Sequence, residues 1–95
     1  MNVMNWLEEW YKSKCDGEWE HSCGVKINTL DNPGWFVKID LVDTDLENKR
    51  FETVEIDNSD NDWMVCRVNS NIFEGFGNTS KLQGILEVFK DWVIS

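Results

Sequence analysis

The amino-acid sequence predicts an α+β fold in which an antiparallel four- to five-stranded meander sheet is packed by an N-terminal and a C-terminal helix. Three observations predict it. Apolar residues recur at helical spacing near both ends of the chain, they alternate with polar residues through the middle, and clusters of turn-forming residues separate the alternating runs. Ninety-five residues suffice for one hydrophobic core, so residues 1–95 are expected to form a single domain.

At the N-terminal end Val3, Trp6, Leu7, Trp10 and Tyr11 fall on one helical face, and Glu8, Glu9, Lys12 and Lys14 on the other. That helix should stop near Cys15-Asp16-Gly17, with Gly17 in the left-handed conformation that other residues avoid. From Glu18 the period shortens to two. Trp19, His21 and Cys23 alternate with Glu18, Glu20 and Ser22, and Val25, Ile27 and Thr29 continue the pattern past a break at Gly24, which predicts one long strand. Asp31-Asn32-Pro33-Gly34 reads as a type II turn, with Pro33 fixing the first central position and Gly34 supplying positive φ at the second.

The next strand, residues 35–42, directs Trp35, Val37, Ile39 and Leu41 to the core and Phe36, Lys38, Asp40 and Val42 to the opposite face. Residues 43–48 are polar and turn-like. Strands follow at 51–56, 63–68 and 72–76, joined by polar turns at 57–61 and 69–71, and Gly75 and Gly77 bring the last strand to an end. Helical spacing returns in Leu82, Ile85, Leu86, Phe89, Trp92 and Val93, opened by the capping box Ser80-Lys81-Leu82-Gln83. Two amphipathic helices with no other place to bury their apolar stripes should pack on a sheet face.

Six Trp and five Phe are many for so short a chain, and each large ring buries roughly 150–250 Å². Core placement is the simpler expectation for all the tryptophans. Trp35 and Trp63, each directly after a turn, are the two best placed to serve as binding anchors at a sheet edge.

The net charge is −9, and residues 40–62 hold −7 of it, nine acidic side chains against Lys49 and Arg50. Such a field repels nucleic acid and anionic lipid and accelerates encounter with a basic partner, although acidic residues also serve plain solubility. The N-terminal residues lack a basic start and a continuous apolar stretch, so the expectation is a cytoplasmic protein without a membrane association. Three cysteines cannot all pair within one chain and are expected to be reduced.

No pattern of catalytic or metal-binding residues emerges. Cys15, His21, Cys23 and Cys66 lack the paired spacing of a zinc site. The acidic run from Asp57 to Asp62 has Asp62 and Val68 where a calcium loop needs Gly and a bidentate Glu. Glu18 and Glu20 lie near His21, the only histidine, and could serve a small hydrolase or ligand-binding protein; that reading demands a pocket holding all three and a carboxyl with a raised pKa. No nucleophile elbow or phosphate loop accompanies them, so no catalytic residue and no cofactor is expected.

One set of segments is distinctive: Trp10-Tyr11, the run Cys15-Asp16-Gly17-Glu18-Trp19-Glu20-His21, the run Thr29-Leu30-Asp31-Asn32-Pro33-Gly34-Trp35, the Trp63 strand, Phe73-Glu74-Gly75 and Val88-Phe89-Lys90-Asp91-Trp92. Together they resemble the immunity protein 53 family of bacterial polymorphic toxin systems over nearly the whole chain. The resemblance implies a cytoplasmic protein, encoded beside a delivered toxin, that protects its cell by binding that toxin. Charge and resemblance agree on one mechanism: stoichiometric occlusion of a cognate toxin, such as a basic nuclease-type domain, by an acidic face. Asp43, Asp45, Glu47, Asp57, Asp60 and Asp62 are the candidate toxin-binding charges and Trp63 the candidate anchor, on a chain that is monomeric or weakly dimeric. A structural subunit of a larger complex would instead expose a large apolar patch.

Overall fold

In the computed structural model, which describes residues 2–95, helix α1 spans Val3–Lys14 and a single helical turn, α2, spans Trp19–Ser22. Strands β1 Val25–Leu30, β2 Gly34–Asp40, β3 Val54–Ser59, β4 Asp62–Asn69 and β5 Ile72–Gly77 follow, and helix α3 closes the order at Leu82–Ile94. All pairings are antiparallel and make one five-stranded sheet, with α1 and α3 packed on it: the α+β class that periodicity predicts.

The connectivity is not the plain meander. The spatial order is β1-β2-β5-β4-β3, so β5 lies beside β2, and residues 41–53 carry the chain across to the far edge before it folds back. Burial explains the exchange. β2 and β5 carry Val37, Ile39 and Phe73, each with no exposed surface, whereas four of the six β3 residues are exposed; the apolar strands take the middle and the acidic one the rim. The crossover is anchored by Leu41 and Leu46 in the core, by the Leu41 N–H to the Asn71 carbonyl at 2.9 Å, and by Lys49 Nζ on the Trp92 carbonyl at 2.7 Å. That ammonium satisfies a carbonyl at the negative end of α3.

One face of the sheet is built from two rows across the strands, Val25, Ile39, Phe73, Val68 and then Ile27, Val37, Gly75, Cys66, Val54. Helix α3 lies directly on it. A Cβ added at Gly75 would collide with Ile85 Cγ2, and one at Gly77 would stand 2.6 Å from Lys81 Cβ. Gly75 therefore does not end the strand; it leaves the space the helix occupies. Phe89 is the hub of the interior, with ring centroids 5.0 Å from Trp10, 5.9 Å from Trp6 and 5.0 Å from Phe73, all edge-on or tilted.

Four local expectations change. The alternation from Glu18 is not a strand, because Asp16 Oδ1 accepts the N–H groups of Glu18 and Trp19 at 3.0 and 2.9 Å and turns the chain into α2; β1 begins at Val25. Gly34 has no positive φ; Asp31–Pro33 form the turn, and Gly34 is needed because a Cβ there would meet the Gly77 carbonyl. β3 starts at Val54 and not at Phe51, whose ring turns inward to lie edge-on to Phe73 and Trp92 at 5.7 and 5.2 Å. Ser80 does not cap α3, because the helix begins at Leu82 and puts Lys81 at the capping position; the Ser80 hydroxyl accepts Asn78 Nδ2 at 2.9 Å instead. Gly17, by contrast, does take positive φ, at 95°.

Candidate functional site

The register Leu30↔Gly34, Trp35↔Gly77 and Gly77↔Met64 brings the β1–β2 turn and the β3–β4 turn to the same end of the sheet. Between them lies a cleft of about 480 Å³, lined by Asn32 and Pro33 on one wall, by Asp57 and Asp60 on the other, and floored by Trp63 and Asn78. Two stretches far apart in sequence, the Asn32-Pro33 motif and the acidic run, thus share one surface.

Asn78 holds this end together. Only 5% exposed, it accepts the Trp63 N–H at 2.9 Å through Oδ1, donates its own N–H to the Trp63 carbonyl at 3.2 Å, and offers its carbonyl to the Lys81 N–H at 3.0 Å. The start of α3 and the base of Trp63 are therefore one unit. Trp35 closes the side by donating Nε1 to the Thr79 carbonyl at 3.0 Å. Trp63 is half-buried, and among the described residues its indole N–H makes no hydrogen bond, unlike those of Trp19, Trp35 and Trp92. Nothing in the sequence marks Asn78 for this role, since the glycosylation-acceptor pattern Asn78-Thr79-Ser80 points to a different chemistry and its importance lies in a partner 15 positions away.

The six candidate charges divide into two groups at opposite ends of the strands. Asp57, Asp60 and Asp62 border the cleft end; Asp43, Asp45 and Glu47 follow the other end of β2. Within each group some charge is already spent. Asp62 Oδ1 lies 2.7 Å from Lys81 Nζ, and that hydrogen bond, with one from Asn58 Nδ2, holds its carboxyl below the usual range. Asp45 meets Lys14 at 3.0 Å, which lowers its pKa in the same way, and Glu47 Oε2 accepts the Asp43 N–H at 2.7 Å. Asp57 and Asp60 are exposed and make no ion pair among the described residues.

The Asp16–His21 run is a structural knot. Besides the two bonds to Asp16, the Glu20 carboxylate accepts the N–H groups of Asp16 and Gly17, each at 2.9 Å in its shorter contact. Backbone donors hold both carboxyls low: those of Trp19 and Glu18 for Asp16, and Glu20's own amide with those of Asp16 and Gly17 for Glu20. Trp19 is buried and donates Nε1 to the Val42 carbonyl at 2.9 Å. Glu18, Glu20 and His21 do not converge. Glu18 lines a cleft of about 320 Å³ with Asp16 and Asp43, His21 lines another of about 530 Å³ with Tyr11 and Asp40, and Glu20 faces its own loop. A carboxyl held low is the reverse of what a general acid requires.

The cysteines are likewise dispersed: Cys15 is exposed, Cys23 intermediate and Cys66 buried within the sheet, its thiol pushed up to about 12 by burial. No helix among the described residues is long and apolar enough to cross a membrane.

The face of the sheet away from the helices holds a feature that strand periodicity hints at only in part. Phe36 and Phe76, on adjacent strands, stack with centroids 4.9 Å apart at 17°, and Val65 continues the row toward Glu55 on β3. Arg67 sits 5.4 Å from the Phe76 ring and pairs with Glu74 at 2.9 Å.

A family model described as Immunity protein 53 matches residues 4–94. No curated protein and no solved structure matches.

Proposed function

This chain belongs to the immunity protein 53 family, and from that premise we propose that it neutralises a cognate bacterial toxin by stoichiometric binding, through the acidic cleft end of its sheet. The observation that carries the reading is the cleft itself. Asp57 and Asp60 face Asn32 and Pro33 across Trp63, an aromatic with a free indole donor, half-exposed and rigidly based on Asn78. An aromatic anchor ringed by uncompensated charge is the arrangement that gives a protein interface both affinity and a fast on-rate. Asp43, Asp45 and Glu47, at the far end, contribute to the long-range field and not to the contact. The chain acts as a single domain, monomeric or weakly dimeric, in the cytoplasm, where it covers the functional surface of a basic, nuclease-type toxin domain and needs no cofactor.

The test is co-expression with the toxin encoded beside it, followed by kinetics on the purified pair. Protection should track formation of a one-to-one complex. Reversing Asp57 and Asp60 to Lys should slow association about tenfold at low salt and flatten its salt dependence. Trp63→Ala should weaken binding by about 2 kcal/mol, near thirtyfold, chiefly through faster dissociation. Protection at far below stoichiometric amounts would overturn the binding mechanism, and an unchanged on-rate in the charge-reversed protein would overturn this interface.

A further inference from the structure

β3 is an outer strand of the sheet. It pairs with β4 on one side, and among the described residues no backbone hydrogen bond leaves it on the other. An open edge of this kind is a template for another strand unless something blocks it. Here the guard along most of the strand is charge: Glu55 and Asp57 lie on β3 and Asp60 in the turn beyond, with no cation on the strand, and a register shift against β4 between Asp57 and Ser59 interrupts only its last residues.

The floor beside that edge is apolar. Glu55 is in register with Val65 and Asp57 with Trp63, on the face turned away from α3, and Val65 adjoins Phe76 of the stacked pair. A trench of about 290 Å³ runs there, lined by Glu55, Asp57, Trp63 and Val65. The opposite edge differs in sign: β1 carries Lys26, which is in register with Lys38 on the same face. Only one edge combines acid with an aromatic floor.

We propose that β3 accepts an extended segment of the toxin as a sixth strand, with Lys or Arg at alternate positions opposite Glu55 and Asp57. In an added strand, residues two apart share a face, so two such cations would stand over the two carboxylates. Neighbouring strands are about 4.8 Å apart, so the aliphatic stems reach across the trench to Val65 and Trp63, where a guanidinium can lie on the indole. A second copy's β3 is disfavoured as occupant, because antiparallel pairing would bring acidic rows together. This inference rests on the toxin-binding reading and adds the mode of contact.

Hydrogen exchange on the full chain, alone and bound to the toxin domain encoded beside it, tests the idea. The β3 amides that point away from β4 should exchange at least about tenfold more slowly in the complex, while β1 amides keep their rates. Glu55→Lys, an exposed change, should weaken the complex more than about tenfold with an unaltered urea midpoint. A complex that forms with unchanged β3 exchange overturns strand addition and leaves occlusion at the cleft end standing. Failure to form any complex overturns both. Protection of β3 that rises with the chain's own concentration, without toxin, makes a second copy the occupant and overturns the proposal.

Discussion

At the scale of single residues, the polar side chains sort by whether the chain itself uses them. Asp16, Glu20 and Asn78 spend their oxygens on backbone N–H groups of neighbouring loops, which is why they shape the molecule and offer little to a partner. Among the described residues, Asp57 and Asp60 make no ion pair and the Trp63 indole N–H no hydrogen bond. The thiols sort in the same way. Cys15 is exposed whereas the Cys66 thiol, pushed up to about 12 by burial, supplies almost no thiolate at neutral pH. A thiol-reactive disulfide reagent should therefore modify Cys15 rapidly in the native protein and reach Cys66 only on unfolding, as peptide mapping after timed labelling will report; fast native labelling of Cys66 would contradict its position. The residue types at these sites were plain in the sequence. Which of them were already occupied was not, since occupancy depends on partners as distant as Trp63 and Asn78.

Elements were legible where one face is apolar throughout. The stripes of α1 and α3 and the alternation in β2 and β4 need only their own residues to be recognised, because burial of one face fixes the period. One element escaped this logic, and so did the role of one residue in a strand that was placed correctly. Around α2, the apolar Trp19 and the Cys23 that follows the turn satisfy a period of two, yet the Asp16 and Glu20 carboxylates, accepting backbone N–H groups, dictate the backbone. In β5, Gly75 carries no pattern at all; its meaning is the absence of a side chain under Ile85. Gly75→Val should thus push α3 from the sheet and lower stability by about 1–3 kcal/mol in urea unfolding. Ile85→Ala alone should cost about 2–5 kcal/mol as a core truncation. The double variant should be more stable than the sum of the two losses, since the added side chain then enters the vacated space. Strict additivity would refute the close approach.

For the whole molecule, charge and pH give opposing expectations that can be separated. A net charge of −9 repels itself, so protonation on acidification should on that ground alone raise stability. The carboxyls of Asp16, Glu20, Asp45 and Asp62 act the other way, because their folded pKa values lie below the ordinary ones. Between the two values the unfolded chain binds more protons than the folded one. Their stabilisation is therefore complete above about pH 5 and is lost as pH falls through about 4 toward the folded values. Urea midpoints measured from pH 7 to pH 3 should hold nearly level and then fall. A midpoint that rises on acidification would mean that self-repulsion outweighs these local hydrogen bonds.

The sequence by itself determined the fold class, the two helices, the concentration of negative charge and, through its resemblance, the family, because periodicity, composition and motif are properties of neighbouring residues. The tertiary structure alone decided that β5 and not β3 lies beside β2, that the acidic segment divides between two ends of the sheet, and that Asn32, Asp57 and Trp63 border one cleft. Those outcomes follow from which strands are apolar enough to take the middle of the sheet. That is a competition among all five for the same buried places, and no single stretch of chain can report its result.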